Sequence, residues 1–138
     1  MFLTKTMKKT KANQLYHLST ENHDGETFVL RVPEFRAFDE DGIVKRICFS
    51  TTMTGAYRAI YEHYYGNAIK LYVHVPIVIP EVIYAPDETE VYDVGYTHER
   101  WVCENTKMKC IGLAMFRGYN LIDDTEIPRN VSIKWINI

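Results

Sequence analysis

The stretch VKRICFSTTMTGAYRAIYEHYYGN, residues 44–67, changes its hydrophobic period part-way, and that change decides the fold. Its first seven residues, VKRICFS (44–50), read as a strand that is apolar in its second half. From Ser50 onward, Met53, Ala56, Tyr57, Ile60, Tyr61 and Tyr64 recur at steps of three and four residues, the stripe of a helix with one buried face. Thr51 or Thr52 supplies the cap, because a hydroxyl oxygen accepts from the free N–H groups of a first helical turn. Gly66-Asn67 supplies the stop.

Outward from this helix the chain reads as strands. NQLYHLS (13–19) is the first, and ETFVLRVP (26–33) follows an HDG turn and ends at Pro33. EFRAFDEDG (34–42) is a charged loop with a turn signal at Asp41-Gly42. AIKLYVHVPIVIP (68–80) is long and apolar, and 81–97 is irregular with a short strand at 82–84. ERWVCEN (99–105), KMKCIGLAMF (107–116) and NVSIKWINI (130–138) complete the set. The expected class is α+β: two small packed β-sheets with one principal helix after the second or third strand. KTMKKTK (5–11) makes residues 1–12 a basic flexible tail, leaving 13–138 as a single domain.

With 138 residues, 46 % of them hydrophobic and 25 % charged, the chain has the composition of one ordinary globular domain. A net charge of −2 argues against general affinity for nucleic acid, which rests on excess Lys and Arg. No run approaches the roughly 20 apolar residues of a membrane span, and the N-terminus has no continuous apolar segment of the secretory kind. Cys48, Cys103 and Cys110 are odd in number and lack CxxC spacing, so they read as reduced core residues of a cytoplasmic protein. Zinc needs four clustered ligands, and no metal site is expected from these cysteines and the scattered histidines.

Three local patterns carry possible chemistry. A strand bears Tyr16 and His17 in LYHLS (15–19); a strand enters a helix through Ser50, Thr51 and Thr52; Glu99 opens the strand ERWVCEN. A strand-borne imidazole donates to a ribose hydroxyl or a phosphate. Hydroxyl and backbone donors at a helix start suit anions and ribose. A carboxylate at a cleft mouth holds a ribose hydroxyl and stabilises a developing oxocarbenium ion. Arg31, Arg36 and Arg46 flank the same cleft, and the planar guanidinium fork suits phosphate oxygens.

In this order the three patterns resemble the ADP-ribosyltransferase superfamily, with a strand-1 His, a strand-2 hydroxyl element leading to a helix, and a later strand-borne Glu. The matching residues are His17 in LYH, Ser50, Thr51 and Thr52 in FSTT, and Glu99 in THERWV. The short size and the LYH opening look most like the antibiotic-modifying and phage-borne members. The resemblance implies an NAD-binding cleft between two small sheets and breakage of the nicotinamide–ribose bond. It further implies transfer of ADP-ribose to a protein or small-molecule acceptor. By it His17 and Glu99 are catalytic, and His17, Ser50, Thr51 and Thr52 bind the cofactor; Tyr16, Arg31 and Arg46 join the cofactor-binding set by their place along the cleft. Thr97, two positions before Glu99, departs from the paired-acid form and argues against arginine as acceptor.

Each of these residues also has a plain structural reading. His17 fits a satisfied core imidazole, the hydroxyl triplet a helix cap, and Glu99 a strand-end charge paired with Arg100 or Arg117. Trp101 and Tyr16 fit the core. His63, on the polar side of the helix, and His74, alternating with Val73 and Val75, read as structural. Asp87, Glu88 and Glu90 read as a solvated loop. The alternative function is a non-catalytic nucleotide- or protein-binding module using the same cleft, such as a phage-encoded inhibitor of a host system.

Overall fold

The elements run β1 (Lys8–Thr10), β2 (His17–Ser19), β3 (Thr27–Phe28), β4 (Ile47–Ser50), α1 (Met53–Ile60), β5 (Ile69–Pro76), β6 (Ile83–Ala85), α2 (Val94–Thr97), β7 (Glu99–Val102), β8 (Thr106–Leu121) and β9 (Pro128–Trp135). They come from a computed structural model that describes residues 8–33, 42, 44–61, 67–122 and 126–136. Arg36, Asp41, His63, Tyr64 and Gly66, all used in the sequence reading, lie outside the described residues.

The strands form two antiparallel sheets. One has the order β1-β6-β7-β4; the other has the order β2-β5-β8-β3, with β9 also paired to β8. They meet where Tyr16 and Ser50 exchange both backbone hydrogen bonds, at 2.8 and 3.0 Å. The class is therefore mixed α+β and mostly strand, as the periodicity predicts. The principal helix follows the fourth strand and not the second or third. The extra strand is β1, whose residues the basic composition had placed in a tail. Lys8, Lys9 and Thr10 pair through backbone atoms with Ala85, Tyr84 and Ile83, and this needs no apolar side chains. Lysines suit such an edge because they discourage further strand addition.

α1 starts as its sequence dictates. Thr52 is extended at φ −133°, and its hydroxyl oxygen accepts from Gly55 N–H at 2.9 Å. Ala56, Tyr57 and Tyr61 then face Leu18, Leu71, Val73, Ala114 and Phe116 on the second sheet. Tyr57 stacks on Phe116 with ring centroids 5.4 Å apart. Gly55 is required here, because a Cβ would stand 2.2 Å from the Thr97 carbonyl oxygen and 2.5 Å from Ser50 Oγ.

A second core joins the sheets: Leu15, Ile47, Phe49, Ile83 and Val102 meet Met108 of β8. The third, Val44, Tyr84, Val91 and Trp101, covers the opposite face of the first sheet. Burying each large aliphatic contributes about 1.5–3 kcal/mol relative to exposure. The strand expected over 26–33 pairs with β8 only at Thr27 and Phe28. The irregular 81–97 segment contains α2, closed by His98 in the left-handed region at φ 52°. β5 and β8 carry a bulge: Val73 faces Gly112 while His74 faces Cys110, leaving Ile111 as the extra residue. Gly112 has φ 152° and lies against the Trp135 ring, 2.8 Å from where a Cβ would stand. Among the described residues no helix is long and apolar enough to cross a membrane.

Candidate functional site

β2 alternates its side chains, so His17 and Ser19 share one face and Leu18 the other. Leu18 enters the α1 core, which sends His17 toward the second core. There its ring lies edge-on to Phe28, with centroids 4.9 Å apart, and 6.5 Å from Phe49. A ring N–H donates to the Cys48 carbonyl. Burial, then the neighbouring His74, His23 and Arg31, lowers its pKa from 6.5 to about 4 against the opposing effect of the Cys48 bond. The ring is enclosed by protein, yet one part of its surface opens to a cavity. His17 is thus a neutral imidazole at pH 7.

That cavity has a volume of about 430 Å³, within the range of small-ligand sites. His17, His23, Phe28 and Arg31 line it, together with Glu26 and residues 46–48 of β4 and its approach. Arg31 is exposed and close enough to depress His17. It brings a permanent positive charge to a wall that also holds an aromatic ring.

His23 and Glu26 come from the HDG turn and its exit. His23 Nδ1 lies 2.5 Å from Glu26 Oε2, and His23 Nε2 lies 3.1 Å from Ser19 Oγ. The loop is fixed by bonds of other atoms. Gly25 N–H donates to the Met108 carbonyl at 2.9 Å, and Met108 N–H to Glu26 at 2.9 Å. Cys110 N–H donates to Asp24 Oδ1 at 2.8 Å. Gly25 itself needs its glycine, at φ 79°. Behind them His74 is fully buried, and its Nε2 accepts the His23 backbone N–H at 2.9 Å. This puts the His74 ring proton on Nδ1, which the carbonyls of His17 and Tyr72 approach without a full hydrogen bond. Burial, chiefly, keeps His74 below the ordinary histidine range.

The remaining residues of the sequence reading lie elsewhere. Ser50 Oγ donates to the Thr97 carbonyl at 2.6 Å and accepts Thr52 N–H at 3.2 Å. Thr51 N–H donates to the His98 carbonyl at 3.3 Å, and Thr52 caps α1. Tyr16 packs beside the α1 core. Glu99 is buried, and its Oε2 accepts the Trp101 indole N–H at 2.5 Å. Glu99 and Trp101 pair with Ser50 and Cys48, so their side chains occupy the sheet face opposite Phe49 and His17. Arg46 contributes to the cavity lining, but its Nη1 donates to the Val44 carbonyl at 2.8 Å and its guanidinium sits 4.0 Å over the Trp101 ring. The cavity therefore unites His17, Arg31 and Arg46, the last already engaged by the Val44 carbonyl and the Trp101 ring. Glu99 and the hydroxyl triplet are not among its lining residues.

No protein-family model, curated protein or solved structure matches the chain.

His23, Glu26 and Phe28 were not singled out from the sequence. The signal was the spacing of Ser19, His23 and Glu26 around Asp24-Gly25, a tight turn that folds these side chains back on one another. Among the described residues, no group of three or more His, Cys, Asp or Glu is disposed to hold a metal ion.

Proposed function

We propose that the chain is a binding module for a nucleotide, held in the cavity without breakage of its glycosidic bond. The observation that carries this is the shared wall of Arg31, Phe28 and His17. Arg31 offers a charged fork for phosphate oxygens, Phe28 an aromatic surface for a base, and His17 an uncharged imidazole that costs no charge burial. The volume suits a mononucleotide or one half of a dinucleotide such as NAD. Transfer of ADP-ribose through Glu99 has weaker support, since that carboxylate lies across the sheet from His17 and is engaged by Trp101.

The test is titration of the intact chain with NAD, ADP and ATP, read by calorimetry and thermal shift, with nicotinamide release followed in parallel. Saturable binding without release is the expected result. Absence of binding by all three at millimolar concentration overturns the proposal. Release of nicotinamide would restore the transferase reading, with Glu26, the carboxylate that does line the cavity, as the residue to replace first.

A further inference from the structure

We propose that Ser19, His23 and Glu26 form a hydroxyl–imidazole–carboxylate row at the cavity rim that confers acyl-transfer activity toward small carboxylic esters, with Ser19 as nucleophile. The inference stands whether or not the cavity takes nucleotides.

The roles follow from the donors available. An ionised Glu26 only accepts, so the 2.5 Å contact places a proton on His23 Nδ1. In the neutral ring His23 Nε2 is then the bare nitrogen, and the Ser19 hydroxyl, 3.1 Å away, donates to it. Ser19 Oγ in turn accepts the Glu21 backbone N–H at 3.1 Å, which favours negative charge on that oxygen. A nucleophile bonded to a base, itself oriented by an acid, is the geometric signature of an activated hydroxyl.

Three features separate this row from a loop brace. The loop is already fixed by the backbone groups of His23, Gly25 and Glu26 and by the Asp24 side chain. None of those bonds uses the Ser19 hydroxyl, the His23 ring or the Glu26 carboxylate; of the three, only Ser19 also holds a loop backbone group, the Glu21 N–H. The row is also reachable, with the His23 side chain 25 % and the Glu26 side chain 58 % exposed. Finally, Ser19 shares the His17 face of β2, while His23 and Glu26 line the cavity. Ser19 is not itself among the lining residues, so a bound ester would extend its acyl or alcohol portion past the His23 ring into the cavity.

In the reaction Ser19 Oγ bonds to the acyl carbon while its proton passes to His23 Nε2. The ester C–O bond then breaks, and the departing alkoxide takes that proton. Water, deprotonated by His23, attacks the acyl-Ser19 ester; the acid leaves and the hydroxyl is restored. His23 and Ser19 are the catalytic residues, and Glu26 is a positioning residue that fixes the imidazole tautomer.

The experiment is treatment of the folded full chain with a fluorophosphonate, which forms an Oγ–P bond and expels fluoride with the serine proton. The adduct is mapped by peptide mass spectrometry, and p-nitrophenyl acetate turnover is measured beside it. One adduct on Ser19 is expected, absent from Ser19→Ala and from the chain unfolded in urea. His23→Gln should slow labelling on the order of 10²-fold. Glu26→Gln should slow it about tenfold, with Glu26→Asp recovering part of the loss. No adduct on the folded parent, an adduct on another serine, or equal labelling in urea overturns the proposal. So does parental labelling in a His23→Gln chain whose thermal melt matches the parent.

Discussion

Ser50 and Glu99 are register partners, and their side chains share the face of the β4–β7 pair that turns away from His17. Ser50 uses its hydroxyl to hold the α2 carbonyl of Thr97; Glu99 uses its carboxylate to hold the indole of Trp101. Both polar groups therefore serve the packing of the first sheet.

Glu99 substitutions should consequently register in stability. Glu99→Ala leaves the buried Trp101 N–H without this acceptor and should cost about 1–3 kcal/mol. Glu99→Gln retains an acceptor oxygen and should cost less. Urea unfolding measures both, and calorimetric nucleotide affinity should stay at the parental value in Glu99→Gln.

Gly55→Ala should be among the most damaging single-methyl changes in the chain. The new Cβ would meet the Thr97 carbonyl oxygen at 2.2 Å, a backbone atom that moves only with α2. A loss of about 1–3 kcal/mol is expected, against the gain that alanine normally brings to a helix interior. The denaturation midpoint of the variant reports the sign directly.

Arg31→Ala should weaken nucleotide binding about tenfold or more, the loss of a charge-assisted hydrogen bond. The parent's affinity should fall with added salt and the variant's fall less steeply. Because Arg31 is exposed, the melting temperature of the free protein should barely move. Equal affinities in calorimetry would remove Arg31 from the site.

Acid should destabilise the protein through His17. Above pH 6.5 the ring is neutral whether folded or unfolded, and the stability it permits is fully present. Between 6.5 and about 4 the unfolded chain takes up a proton that the folded ring refuses, so stability falls as the pH falls. Below about 4 the folded ring also protonates and this loss stops. About 2 kcal/mol is at stake, allowing for screening at the cavity mouth. His17→Asn should flatten that part of the pH profile of unfolding free energy; His74, shifted the same way, should keep a residual slope.

How much of this was legible in the sequence depended on the kind of signal. The stripe from Met53 to Tyr61 and the Thr52 cap are local, and the helix follows from them. Glu99 was legible as a strand-end carboxylate, but which face it takes is set by where Trp101 is buried, and adjacent strand residues face opposite ways. β1 escaped notice because backbone pairing leaves no mark on a run of lysines. His98 hid the end of α2 because the left-handed position usually belongs to glycine. His23 and Glu26 were hidden inside a turn motif, where their residue types suggest only solvent.

β8 supplies Met108 to the core between the sheets and Ala114 and Phe116 to the core beneath α1. Neither layer keeps its wall if this strand peels away, so heat or denaturant should melt the two sheets in one cooperative transition.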